Sequence, residues 1–104
     1  MSTQAQQPMV SIVSVNYDQP EVTCEMLESL RKVAYPNFET LIVDNGSPTK
    51  SPDIIRENYP EVELIISDKN LGFAGGNNIA LKQAKGDYVL LLNNDTEVRP
   101  DFLD

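Results

Sequence analysis

Residues 87–95 read Asp-Tyr-Val-Leu-Leu-Leu-Asn-Asn-Asp, and this stretch constrains the fold more than any other. A wholly apolar run of strand length stops abruptly at three side chains that offer oxygen donors. A run bounded in this way is the pattern of a strand buried on both faces of an α/β sheet. Ligands of such sheets bind just outside the carboxyl ends of the strands. Asn93, Asn94 and Asp95 are therefore expected at the lip of a crevice. Carboxylate and amide oxygens suit hard cations such as Mg2+ or Mn2+.

The rest of the chain repeats the theme. Residues 10–16 (VSIVSVN) are rich in β-branched side chains and read as a first strand. Asp18-Gln19-Pro20-Glu21 resembles a helix start, with proline in the first turn, and Val22, Met26, Leu27, Leu30 and Val33 follow at helical spacing. Residues 38–43 form a second predicted strand, residues 52–59 a second helix with Ser51 as N-cap, and residues 62–67 a third strand. Residues 68–76 (DKNLGFAGG) read as a Gly-bearing loop, residues 77–85 as a third helix stopped by Gly86, and residues 88–92 as the fourth strand. Arg99-Pro100-Asp101 is expected to open a further helix. Strands alternating with helices through short connections predict a three-layer α/β/α domain with a mainly parallel sheet. Residues 1–9, rich in Gln, Ser and Thr, are expected to be a disordered tail, leaving residues 10–104 as one domain.

Composition narrows the function. Eight Lys and Arg against sixteen Asp and Glu give a formal charge of −8, which argues against nucleic acid as a partner and against a polybasic membrane patch. A phosphate ligand stays open, because backbone amides and a metal can hold one. The chain has no His and one Cys, so Ser-His and Cys-His catalysis within it are excluded and no intrachain disulfide can form. Cys24 falls in the first predicted helix and reads as a small packing residue. No apolar stretch approaches the ~20 residues that span a bilayer, and a cytoplasmic location is expected, with peripheral contact at the inner face of a membrane left open.

In a parallel sheet the polar strand ends converge on one edge. Strand one ends in Asn16, Tyr17 and Asp18, strand two in Asp44 and Asn45, strand four in Asn93, Asn94 and Asp95, and the glycine loop follows strand three. Asp44 could accept hydrogen bonds from a base or a ribose, or cap the Asn45-Gly46-Ser47 turn. Tyr17 offers either a stacking face or a core-edge ring. Gly72, Gly75 and Gly76 permit close backbone approach beside a helix N-terminus that could face a diphosphate. Their spacing is neither the dinucleotide fingerprint nor a Walker A loop. Phe73 reads as a packing anchor. Asp95 could hold a metal together with a ligand diphosphate and water, or cap a turn.

Together VSIVSVNYDQPE, LIVDNGS, NLGFAGGNN and KGDYVLLLNNDTEVRPDFL closely resemble family 2 glycosyltransferases, particularly bacterial rhamnosyltransferase-like members, over residues 10–103. The resemblance implies a GT-A fold. It also implies transfer of a sugar from a nucleoside-diphosphate sugar to a saccharide or lipid-linked acceptor in cell-surface polysaccharide synthesis. It places Val15, Asn16 and Tyr17 around the base. Asp44, with Asn45 beside it, would contact base or ribose. Gly72, Gly75 and Gly76 would form the wall beside the nucleotide. Asn94 and Asp95 match the DXD-like motif, with Asp95 as the metal contact for Mg2+ or Mn2+. Asn93 and Asn94 stand where the family more often has acidic residues, leaving one carboxylate. A dTDP or UDP carrier and rhamnose are the donor that this resemblance suggests.

Inverting members use an Asp or Glu as general base. Nothing here resembles it, and it is expected beyond Asp104; Asp101 and Asp104 fall on the next predicted helix and are not cast in that role. The chain is therefore read as the donor-binding half of a larger enzyme, with activity of its own near zero. A nucleotidyltransferase would need a Gly- and basic-rich loop after strand one, where Asn16-Tyr17-Asp18-Gln19 stands. A non-catalytic binding module is the other alternative. A half-domain would expose a sheet edge and apolar patches, so homo-oligomers are expected.

Overall fold

β-Branched side chains stiffen the backbone toward extended geometry, and the runs rich in them become strands. The computed structural model describes residues 7–103. The elements are β1 (Val10–Asn16), α1 (Pro20–Leu30), β2 (Phe38–Asn45), α2 (Asp53–Asn58), β3 (Glu63–Ser67), α3 (Gly72–Leu81) and β4 (Tyr88–Leu91). The four strands form one parallel sheet in the order β3-β2-β1-β4. Register sets Asn16 beside Asp44 at the carboxyl ends of β1 and β2.

Side chains alternate across the pleat. Ile12 and Ile42 point to one face, where Met26, Leu27 and Leu30 of α1 and Ile55 of α2 bury them. Val13, Leu41 and Val43 point to the other, against Ala80 of α3. The three-layer α/β/α architecture is as expected. Its topology follows from handedness. Right-handed crossovers from β1 to β2 to β3 put α1 and α2 on one face, and reversal toward β4 puts α3 on the other. The chain thus changes direction between β1 and β4, and the crevice of an α/β sheet opens at such a point.

Several expectations are corrected. β4 is not buried on both faces: Tyr88, Val89 and Leu91 are 64%, 41% and 46% exposed. Among the described residues it pairs only with β1, and α3 lies over β1 and β2. An apolar run cannot by itself distinguish a central strand from an edge strand. The glycine stretch is not a loop, because α3 begins at Gly72 and contains Gly75 and Gly76. Glycine disfavours helix by about 1 kcal/mol per residue, so this start depends on tertiary hydrogen bonds from Asn45. Residues 99–103 form turns rather than a helix. Pro100 accepts a hydrogen bond from Ala34 N (2.9 Å), and Phe102 and Leu103 pack on the α1 side of the core.

Gln7–Met9 are not a free tail either. Pro8 accepts from the Tyr35 hydroxyl, Met9 N donates to the Asp87 carboxylate (3.0 Å), and Asp87 N returns a bond to Met9 O (2.7 Å). The expectation for residues 1–6 lies outside the described residues. Pro52, not Ser51, is the N-cap of α2; Ser51 stands one residue earlier, its Oγ accepting from Asp53 N (3.2 Å). Cys24 packs, half-buried, against the α1 core. Its thiol is pushed up by burial and by nearby Glu21.

Candidate functional site

At the carboxyl edge of the sheet, where β1 and β4 diverge, lies a cavity of about 490 Å3. Val15 and Tyr17 from the end of β1, and Leu92, Asn93, Asn94 and Asp95 from beyond β4, line its two sides. Asn45 from β2, Asn70 and the start of α3 close the third.

The β4 side is tightly held. Leu92 N donates to Val13 O (2.9 Å), and the buried Ser14 hydroxyl donates to Leu92 O (2.7 Å). The chain then turns through residues 93–96, with Thr96 N donating to Asn93 O (3.1 Å). Asn94 and Asp95 occupy the two central positions of that turn. Asn94 Nδ2 donates to Thr23 Oγ1 on α1 (3.1 Å).

The β1 and β2 ends form a buried polar network. Asn16 is fully buried; its Nδ2 donates to Asp44 Oδ1 (2.9 Å), and its Oδ1 accepts from Thr23 Oγ1 (2.6 Å). Asp44 is 3% exposed and also accepts from Ser47 Oγ (2.5 Å) and, at 3.4 Å, Ser47 N. Asp44 thus performs the turn-capping role and does not line the cavity. Asn16 likewise stands behind the wall. Tyr17, 44% exposed, faces the cavity and is not a core-edge ring.

Asp18 adopts a left-handed φ of 58°, uncommon without glycine. Its carboxylate accepts from Thr49 N, Thr49 Oγ1 and Lys50 N at 3.1, 2.6 and 2.7 Å. The Thr49 hydroxyl first, then the Lys50 amide, hold its carboxyl below the usual range. This clasp locks the β1–α1 loop to the loop after β2.

Asn45 organises the third wall. Its Oδ1 accepts from Leu71 N (3.0 Å), and its Nδ2 donates to Asn70 Oδ1 (3.1 Å) and Gly72 O (3.0 Å). Gly72 lies at the cavity with φ +78°, a conformation that glycine adopts without strain. Gly76 is away from the cavity, and a Cβ there would sit 3.1 Å from Asn45 Nδ2 and 3.3 Å from Val15 Cγ2, so its absence lets α3 approach the strand ends. Gly75 also stands off the cavity. Phe73 is 60% exposed and lines the cavity, correcting its reading as a packing anchor.

Gln19, Asn70, Phe73 and Leu92 are lining residues that sequence reasoning did not assign. Gln19 makes no capping bond at the start of α1, and its place in the loop just after strand one was the signal available. Asn70 was legible only as the start of the glycine stretch.

The oxygen donors at this end of the cavity are of the hard kind that suits Mg2+ or Mn2+. Among the described residues no group of three His, Cys, Asp or Glu side chains forms a metal cage. Asp95 supplies one carboxylate and its neighbours supply amide oxygens. Mg2+ in particular is commonly held by one or two carboxylates with ligand phosphates and water completing the shell.

Residues 11–104 match the family model described as Glycosyl transferase family 2. The O-antigen biosynthesis protein RfbC of Myxococcus xanthus is 36% identical over 101 residues, covering 93% of this chain and 8% of that protein. The structure of S. aureus TarS 1–349 in complex with UDP-GlcNAc matches with a TM-score of 0.80 at 29% identity, over 91% of this chain and 29% of that one. The mannosyltransferase PcManGT from Pyrobaculum calidifontis, in complex with GDP-Man and Mn2+, matches at 0.77 and 26%, over 88% of this chain and 28% of that one. The chain thus spans less than a third of each of these relatives.

Proposed function

The chain belongs to glycosyl transferase family 2 and has the GT-A fold, and from this we propose that it forms the donor-binding part of an enzyme of cell-surface polysaccharide synthesis. That enzyme transfers a sugar from a nucleoside-diphosphate sugar to a saccharide or lipid-linked acceptor. One observation carries the reading. The cavity at the switch between β1 and β4 joins an aromatic face to a carboxylate flanked by the Asn93 and Asn94 amides, and its 490 Å3 lies in the range of small-ligand sites.

In this reading Tyr17 and Val15 hold the base, with Asn16 and Asp44 bracing that wall from behind. Asn45 keeps α3 in place, so that Gly72 and Phe73 bring the positive end of the helix to the diphosphate. Asp95, with Asn94 beside it, would hold Mg2+ or Mn2+. When bound, the ion supplies positive charge that offsets the charge on a departing diphosphate. Asn93 and Asn94 contribute polar oxygens without adding negative charge beside the phosphates. No described residue is assigned as general base. The related structures contain UDP-GlcNAc and GDP-Man; rhamnose on a dTDP or UDP carrier is the finer proposal, resting on motif resemblance.

Calorimetric titration of UDP, dTDP and GDP into the chain, with and without Mn2+, tests this on wild type and Asp95→Ala. Metal-enhanced binding of one nucleotide, with the enhancement lost in Asp95→Ala, is expected. A folded wild type that binds none of the three would refute a donor site in this chain.

A further inference from the structure

Four side chains, Asn94 at the cavity and three behind it, form a path with a forced direction. Asn94 Nδ2 donates to Thr23 Oγ1 (3.1 Å), Thr23 Oγ1 donates to Asn16 Oδ1 (2.6 Å), and Asn16 Nδ2 donates to Asp44 Oδ1 (2.9 Å). Thr23 and Asn16 are fully buried and Asp44 is 3% exposed. A hydroxyl carries one proton. The competing acceptor for Thr23, the Gln19 carbonyl, stands at 3.3 Å, so the proton goes to Asn16. Asp44 Oδ1 accepts both here and from Ser47 Oγ. The Asn16 amide must therefore turn its nitrogen to Asp44 and its oxygen to Thr23. Every bond points toward Asp44, and in a buried chain each polarises the next.

The consequence emerges at the far end. The Asn94 nitrogen is drawn inward to Thr23, so its oxygen is the end left for the cavity, beside Asp95. A surface asparagine amide could otherwise present either end. Thr23 itself lies on α1 and lines no part of the cavity.

Building on the donor-site reading, we propose that Thr23 is a positioning residue. Through Asn94 it holds the turn of residues 93–96 and fixes an acceptor oxygen next to the metal-side carboxylate. Its hydroxyl is the only group in the path that both accepts from the turn and donates to the strand ends. A substitution there acts first on the metal side of the crevice; behind the base wall Asn16 loses one bond but keeps the one to Asp44, and Val15 and Tyr17 stand at the end of β1.

The test measures UDP, dTDP and GDP affinity with and without Mn2+ in wild type, Thr23→Val and Thr23→Ser. Thr23→Val removes two hydrogen bonds, from Asn94 and to Asn16; loss of the first should reduce the Mn2+-dependent gain in affinity about tenfold, while metal-free affinity moves less than about threefold. Thr23→Ser, which keeps the oxygen, should recover the gain. Equal losses with and without Mn2+, or no loss at all, would overturn the proposal while leaving the donor site intact. Wild type binding no nucleotide would overturn both. Should Thr23→Val fail to fold by circular dichroism, wild type answers by NMR. The Thr23 hydroxyl proton should exchange slowly, show a contact to the Asn94 side-chain amide, and shift when Mg2+ and nucleotide are added. Absence of that contact, or no shift on loading, would overturn the proposal.

Discussion

Substituting Gly46 tests how the strand ends are held against the start of α3. Gly46 follows β2 with φ +75°, and a Cβ built there would lie 2.5 Å from Lys69 C, 2.6 Å from Asn70 N and 2.7 Å from Lys69 Cα. Ordinary contact begins at 3.4 Å, so the backbone of residues 69–70 would have to retreat by about 0.9 Å. The left-handed conformation costs alanine about 1–2 kcal/mol. Overpacking against backbone that cannot change rotamer adds about 1–3 kcal/mol. Gly46→Ala should therefore destabilise by roughly 2–5 kcal/mol, a large share of the ~5–15 kcal/mol typical of a domain. For a chain of this size that lowers Tm by about 4–5 °C per kcal/mol.

Urea denaturation would measure the change, with Gly46→Asn as the informative companion. Asparagine tolerates a left-handed φ far better than alanine but carries the same Cβ. If overlap dominates, as the distances indicate, Gly46→Asn should be nearly as damaging. Stability within about 0.5 kcal/mol of wild type in Gly46→Asn would refute the overlap argument and leave φ strain as the sole cause. Nucleotide affinity should fall with stability, because Asn70 moves with the displaced backbone.

Asn45→Ala removes three hydrogen bonds that start α3, and should cost about 2–4 kcal/mol and fray that helix in amide exchange; unchanged protection there would count against the Asn45 clamp. Asn77 is 4% exposed with Nδ2 unpartnered among the described residues, so Asn77→Leu should stabilise by about 1 kcal/mol, and destabilisation by denaturant melt would show that the amide has a partner. Tyr59 is pushed up to about 12 by burial first and then by its hydrogen bond to Glu28. Its folded value lies above the usual 10, so its contribution is fully present below pH 10 and is lost as pH rises toward 12. Ultraviolet titration should show one tyrosine ionising late, and late ionisation persisting in Glu28→Gln would leave burial as the cause. The apolar face of β4 predicts self-association; Val89→Lys should shift light scattering toward monomer, and a wild type already monomeric at high concentration would refute this.

Much of the fold was legible along the chain. Strand positions follow from β-branched and apolar runs, Pro20 marks the start of α1, and alternating elements dictate a parallel sheet whose polar ends share an edge. These are local properties, set by backbone sterics and by the period of side-chain direction. What the chain alone did not disclose depends on partners distant in sequence. Gly72, Gly75 and Gly76 read as loop because glycine disfavours helix, yet Asn45, more than 25 residues earlier, supplies the hydrogen bonds that start one. The run at residues 88–92 has the pattern of a doubly buried strand, but burial depends on which strands and helices lie beside it, and among the described residues β4 has a neighbouring strand on one side only. Asp44 carried the right chemistry for a ligand, while register beside Asn16 turned its carboxylate inward. Residue type determined which groups could act; packing between distant segments decided which of them face the crevice.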